Sequence, residues 1–139
     1  MSTVEVVQVA GGSARLGIYS RDHCPPHATC RDVAQRWVVR ITFSFLDAQV
    51  GVLSVVPPQN SPGVGVINDL ADAVLRNLPE CRRLWWDYRR TNPAAQADGP
   101  CCLNNQLRSG TIISDATYDP ATCRTNMRLA DGTTVGVTV

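Results

Sequence analysis

The amino-acid sequence predicts an α+β fold, in which a mostly antiparallel sheet carries two helices on one face and a three-stranded β-meander follows at the C-terminus. Apolar and polar residues alternate with a period of two over much of the first 56 residues. The period then changes to about 3.6 between residues 67 and 88, and turn residues separate short strand-like segments beyond residue 107.

The length and charge of the chain restrict its class. It has 139 residues, with 13 basic and 12 acidic side chains, so the formal net charge is only +1. A global electrostatic attraction to nucleic acid or membranes is thereby excluded, and any basic site must be local. The first residues lack a basic segment followed by an apolar run, and no stretch reaches the roughly 18 apolar residues of a membrane span. We therefore expect a cytoplasmic protein with no membrane partner and with reduced cysteines.

Four strands are predicted in the N-terminal part. Residues 4–9 and 15–20 form a hairpin around a glycine-rich turn. Residues 37–46 alternate strongly, which places five side chains on one apolar face: Trp37, Val39, Ile41, Phe43 and Phe45. Residues 50–56 form the fourth strand, which the prolines at 57 and 58 end because proline donates no hydrogen bond to a sheet.

Two amphipathic helices follow. The first has an apolar stripe that consists of Ile67, Leu70, Ala71, Val74 and Leu78. The second begins at the capping box Asn77-Leu78-Pro79-Glu80. Its apolar positions, which we expect to pack on the sheet, are Cys81, Leu84, Trp85 and Tyr88.

The chain divides into three regions by composition. Residues 1–92 form the α+β unit, residues 93–106 a linker, and residues 107–139 a β-meander with a hairpin turn at Asp131-Gly132. A meander this short is too small to be stable alone, so we expect it to pack on the first unit.

The segment Asp22-His23-Cys24-Pro25-Pro26-His27, which we call the histidine turn, contains both histidines of the chain. Two adjacent prolines fix their own φ angles and push the residues before them towards extended geometry. We therefore expect a stiff turn that displays both imidazoles outward. The alternative is a turn whose histidines satisfy backbone groups.

The chain resembles the bacterial domain of unknown function family 4160 over roughly residues 13–91. The resemblance rests on the histidine turn after a strand that ends at Ile18-Tyr19, then a hairpin, then a helix that closes on Leu84-Trp85-Trp86. That family centres on an Asp-His-x-Pro-Pro-His-x-His turn, and Thr29 stands where its third histidine would fall. Its members are small, are often encoded beside mobile-element or toxin–antitoxin genes, and have no established activity. The C-terminal meander is similar to the domain of unknown function family 2442, which also places an Asp-Gly turn between two strands.

Two kinds of chemistry are open to the histidine turn. His23 and His27 could act as general acid and base, with Asp22 orienting one imidazole, as in a nuclease-type toxin. Cys24, His27 and Cys30 could instead hold zinc, with His23 or another cysteine as a fourth ligand. The sequence has one such cluster and lacks the second ligand pair of a typical zinc module, so no cofactor is required.

The second helix offers a binding surface. Its basic and aromatic side chains suit contact with phosphates and bases, or a protein interface, and they are Arg82, Arg83, Trp86, Arg89 and Arg90. A solvated helix face is the simpler alternative.

These observations favour a small, non-catalytic binding or regulatory protein whose partner is a protein or a nucleic acid. The family resemblance implies a toxin–antitoxin or mobile-element locus, including phage anti-defence. The alternatives are a nuclease-type toxin and a zinc-stabilised interaction module.

Overall fold

The computed structural model describes residues 1–23, 25–45, 47–91, 113–119, 121–122, 124–129 and 131–138. These residues form a five-stranded sheet, two α-helices and a three-stranded sheet. The predicted α+β fold class is confirmed. The strands of the larger sheet are β1 (Ser2–Val9), β2 (Gly12–Ile18), β3 (His27–Asp32), β4 (Val38–Phe43) and β5 (Val50–Val56).

The larger sheet is an antiparallel meander with the order β1-β2-β3-β4-β5. The predicted hairpin of β1 and β2 is confirmed, and its turn holds Gly11 at a φ of 83°, which glycine adopts without steric cost. The five residues predicted for the apolar face of the strand around β4 are all buried. A 3₁₀ turn, Pro58–Asn60, follows β5.

The central strand β3 was not predicted from the sequence. Its sequence is HATCRD, and its first four residues are all buried. A run of four buried residues shows no apolar–polar alternation, and this strand also lacks branched aliphatic side chains, so the pattern that marks a strand is missing. Antiparallel pairing with both β2 and β4 holds it in place.

Helices α1 (Val64–Arg76) and α2 (Leu78–Thr91) cover one face of this sheet. The sheet residues that face the helices are apolar and buried, among them Leu16, Ile18, Ala28, Cys30, Val39, Ile41 and Phe43. The buried stripe of α1 consists of Val66, Leu70, Ala73 and Val74, so it is rotated by part of a turn from the predicted stripe. In α2, Cys81 and Trp85 are buried as predicted, and the Trp85 and Phe43 ring centroids lie 6.2 Å apart.

Asn77 connects the two helices in a way that differs from the predicted capping box. It is the C-cap of α1, and its side-chain amide donates to the Ala73 carbonyl at 2.8 Å. Its own carbonyl accepts the Cys81 N–H at 2.9 Å. The Asn77 side chain therefore serves the end of α1, while α2 begins at the predicted place with Pro79 in its first turn.

The smaller sheet contains β6 (Ile113–Asp119), β7 (Arg124–Leu129) and β8 (Thr134–Thr138), in that order and antiparallel. The predicted turn between the last two strands is confirmed, because the Asp131 carboxylate accepts the Thr133 N–H at 2.8 Å and Gly132 has a φ of 90°. Met127 is fully buried. The predicted linker lies outside the described residues, and the division into domains stays a prediction. Neither described helix is long and apolar enough to cross a membrane.

Candidate functional site

The histidine turn joins β2 to β3 at one end of the larger sheet. Its first part is closed by the Asp22 N–H, which donates to the Tyr19 carbonyl at 3.4 Å. Its last part is joined to β4, because the Pro26 carbonyl accepts the Phe43 N–H at 3.1 Å. Cys24 lies outside the described residues.

His27 is fully buried, with both ring nitrogens facing partners inside the protein. Nδ1 lies 2.7 Å from the Pro25 carbonyl oxygen. A carbonyl only accepts, so Nδ1 carries a hydrogen and donates it. Nε2 lies 3.4 Å from Oδ2 of Asp22. The expectation that both imidazoles face outward is therefore wrong for His27.

The burial of His27 follows from its place in the sheet and beside helix α2. It begins β3, pairs in register with Thr42, and its ring centroid lies 5.5 Å from that of Trp85. Nε2 of His27 and Oδ2 of Asp22 are both buried, and neither makes a hydrogen bond of good geometry. The two atoms therefore lie near each other without a hydrogen bond, and no ring nitrogen of His27 faces solvent.

Arg89 holds the histidine turn against helix α2. Its guanidinium donates to the backbone carbonyl of Asp22, and the guanidinium carbon lies 4.5 Å from the centroid of the Trp85 ring. The residue is only 8 % exposed. A guanidinium over an aromatic ring is favourable when it is desolvated. Arg89 therefore stabilises the turn from inside rather than projecting from the helix.

His23 is the histidine that a ligand can reach. It is exposed, and its ring meets the His27 ring edge to face with a centroid distance of 5.6 Å. It lines a surface depression of about 470 Å³ together with Pro25, Arg40, Leu53 and Ser54. The turn thus presents one imidazole and encloses the other.

The structure describes two of the three predicted zinc ligands, His27 and Cys30. Cys30 is fully buried, and burial, with a further contribution from Cys81, raises the pKa of its thiol to about 12. The His27 nitrogens face Pro25 and Asp22. Among the described residues, no group of three or more His, Cys, Asp or Glu side chains could hold a metal ion. A site at Cys24, His27 and Cys30 stays a prediction, because Cys24 is not described.

The described arginines of helix α2 bind groups of the protein itself. Arg82 donates to the backbone carbonyls of Ser44 at 2.9 Å and Asp47 at 2.6 Å, and burial lowers its pKa.

Arg83 pairs with carboxylates of its own helix. Its guanidinium lies 2.5 Å from the Glu80 carboxylate and 3.2 Å from that of Asp87. Trp86 packs partly buried against the core, and the Arg90 side chain lies outside the described part of the chain. The binding surface on helix α2 stays a prediction, but the described arginine side chains of this helix already bind carbonyl or carboxylate groups of the protein.

A second group of arginines lies on the sheet face opposite the helices. Arg15 of β2 and Arg31 of β3 are cross-strand partners in register. Arg40 of β4 pairs with Thr29, two residues from Arg31 on β3, and is therefore the diagonal neighbour of Arg31. We call Arg15, Arg31 and Arg40 the arginine surface.

The cations of the arginine surface lack acidic partners within the described residues. The Arg31 guanidinium donates to the Tyr19 hydroxyl and lies 5.3 Å from the Tyr19 ring centroid, while Arg40 donates to Ser54 Oγ at 3.4 Å. The Arg15 guanidinium makes no ion pair or hydrogen bond with any described residue. Like charges directly opposite each other destabilise a sheet. The arginine surface is therefore destabilised by repulsion between its positive charges, and a bound anion would reduce that repulsion.

A depression of about 450 Å³ adjoins Arg15 and Arg31. One acidic residue, Asp32, also lines it. The Asp32 carboxylate is bound by Arg36, at 2.5 Å from Nε and 3.1 Å from the backbone N–H, and these hydrogen bonds lower its pKa. Asp32 is therefore neutralised by a residue outside the arginine surface.

Sequence reasoning missed the arginine surface because it depends on strand register. Arg15 and Arg40 lie at polar positions of predicted strands, but Arg31 lies in β3, which was not predicted. Without β3 between β2 and β4, the three residues could not be placed on one face. Thr29, where the third histidine of the resembled family would fall, is fully buried between Gly17 and Arg40.

Compared with models of known families, with curated proteins and with solved structures, the chain matches none. Membership of the families named above stays a prediction.

Proposed function

We propose that this protein is a small, non-catalytic binding protein of the cytoplasm, which takes an anionic partner on its arginine surface. The observation that carries the proposal is the direct pairing of Arg15 with Arg31, whose side chains are both exposed, on the sheet face opposite the helices. The neighbouring carboxylate of Asp32 is bound elsewhere, by Arg36. An anion is the ligand that would remove the repulsion between the two guanidinium groups.

The enclosure of His27 supports the non-catalytic part of the proposal. A general base must reach the proton that it removes, either directly or through one water. Both nitrogens of His27 face partners inside the protein, which leaves His23 alone at the surface. A nuclease that needs two imidazoles is therefore the less favoured alternative, and a zinc-stabilised module is a further one.

The occupied arginines of helix α2 favour the sheet over the helix as the partner surface. Removing Arg82 or Arg89 would leave backbone carbonyls without their donors. Substitutions there would reduce binding through loss of stability. Arg15 and Arg31 are exposed, so their replacement would change binding without that effect.

Retention on a column of immobilised heparin, a highly sulfated polyanion, tests this proposal. The variant is R15Q/R31Q, and the matched control is R76Q/R83Q. Both remove two positive charges, but Arg76 and Arg83 are exposed residues of the helices on the other side of the sheet. We expect R15Q/R31Q to elute at clearly lower salt than the wild type and the control. Equal elution of the two variants would contradict the proposal.

The resemblance to the domain of unknown function family 4160 supports a biological setting, a toxin–antitoxin or mobile-element locus. A regulatory protein of such a locus would change the growth of its host when overproduced. We expect that effect to be lost in R15Q/R31Q and kept in R76Q/R83Q. If both variants still change host growth, the growth effect does not depend on the arginine surface.

A further inference from the structure

The shape and chemistry around the arginine surface restrict the anion that fits it. Its cations are spread over three neighbouring strands, so they match a chain of separated negative charges better than a single compact ion. Diagonal cross-strand neighbours such as Arg31 and Arg40 lie about 7–8 Å apart between backbones. Their long side chains can span successive phosphates of an extended strand.

Rings border these cations. Tyr19 lies beneath the Arg31 guanidinium, and the exposed His23 shares a depression with Arg40. Bases of an unpaired strand stack on aromatic rings, on histidine and on arginine planes. A duplex hides those base faces.

Apolar side chains flank the same surface. Val6 and Val56 lie in the cross-strand row that contains Arg15 and Arg31, and they are 50 % and 49 % exposed. Carboxylates alone would leave this apolar area and the rings without a partner, whereas sugars and bases would cover them. The surroundings therefore favour a nucleic acid over an acidic protein segment.

We propose that the arginine surface binds single-stranded nucleic acid, with Arg15, Arg31 and Arg40 on successive phosphates and with Tyr19 and His23 against bases. This inference rests on the proposed function and specifies its partner. The binding is independent of base sequence, because phosphate contacts carry no sequence information.

Fluorescence anisotropy with a labelled oligothymidylate of twenty nucleotides tests the inference. We expect a Kd of about 10⁻⁴–10⁻⁶ M near physiological salt, as for non-specific binding. Three phosphate contacts predict that log K falls with log salt with a slope of about −2, at about −0.7 per contact. R15Q/R31Q should bring the slope close to −0.7 and weaken binding about tenfold or more, while R76Q/R83Q should change neither.

The rings have their own variant. Y19L should weaken binding about fivefold or more through lost stacking while leaving the salt slope unchanged. An unchanged affinity would remove Tyr19 from the proposed contact. Circular dichroism and the melting temperature of every variant verify that it is folded.

Two further probes distinguish failure of this inference from failure of the proposed function. If polyglutamate or heparin binds in an Arg15- and Arg31-dependent manner but the oligothymidylate does not, the nucleic-acid inference is overturned and the anionic surface stands. Binding of a duplex as tight as that of the single strand would overturn the single-strand assignment. Failure of all the polyanions to bind would overturn both proposals.

Discussion

Replacing His27 with alanine tests whether the histidine turn is structural. The ring is fully buried and packs beside Trp85, so its loss leaves a cavity that costs about 2–4 kcal/mol. The Pro25 carbonyl loses its 2.7 Å donor, which adds about 1–2 kcal/mol. We expect H27A to lower the free energy of unfolding by about 3–6 kcal/mol, and the melting temperature by roughly 10–20 °C.

Urea denaturation followed by tryptophan fluorescence measures this change. The matched control is H23A, because His23 is exposed and its replacement should cost less than about 0.5 kcal/mol. A third variant, H27N, keeps an amide donor near the position of Nδ1 but lacks Nε2, so its stability should lie between those of H27A and the wild type. Equal stabilities of H27A and H23A would refute the structural role of His27.

The result also decides how a catalytic test must be made. A double histidine variant would lose activity merely by unfolding if His27 supports the fold. H23A alone removes the accessible imidazole and leaves the buried one, so it is the variant that tests catalysis.

Three further predictions concern the sheet and its core. Asp32 has a lowered folded-state pKa, so its carboxylate stabilises the protein above pH 3.8, the ordinary pKa, and loses this effect as the pH falls through the folded-state pKa. D32N should therefore lower the free energy of unfolding by about 1–2 kcal/mol at pH 7 and by progressively less in acid. A cost that does not change with pH in urea titrations would contradict this. Burial raises the thiol pKa of both Cys30 and Cys81 to about 12. Iodoacetamide labelling of each thiol at pH 8, resolved by peptide, should therefore be about a thousandfold slower in the folded than in the denatured chain. Equal rates would count against their burial. A β-carbon at Gly17 would lie 2.5 Å from a backbone oxygen of the neighbouring strand β1. G17A should therefore lower the free energy of unfolding by about 1–3 kcal/mol. An unchanged urea midpoint would disprove the close approach of the two strands at this residue.

The parts of the fold that could be predicted have regular periodicity. The alternation from Trp37 to Phe45 identifies a strand because its apolar side chains all face the core. The stripe of α1 identifies a helix because one helix face meets the core and the other meets solvent. Strand β3 could not be predicted in this way, since it lies in the middle of the sheet and has no consistently exposed face. Its position follows only from hydrogen bonding to β2 and β4.

The candidate site was predictable only in part, for the same reason. The prolines correctly indicated a turn between strands, but the direction of each imidazole depends on tertiary contacts, with Trp85 and Asp22 for His27. A run of arginines on a helix is visible in the sequence, whereas its pairing with carbonyls such as that of Ser44 is not. The arginine surface needed the register of three strands.

Arginine side-chain NMR tests the central claim most directly, because the Nε–H signal of each arginine reports its own contacts. With the wild-type protein and increasing amounts of a heparin fragment, we predict that the signals of Arg15, Arg31 and Arg40 shift together and saturate. The signals of Arg82 and Arg89, which donate to backbone carbonyls, should stay in place. Shifts confined to the helix α2 arginines, with the sheet arginines unchanged, would contradict the account.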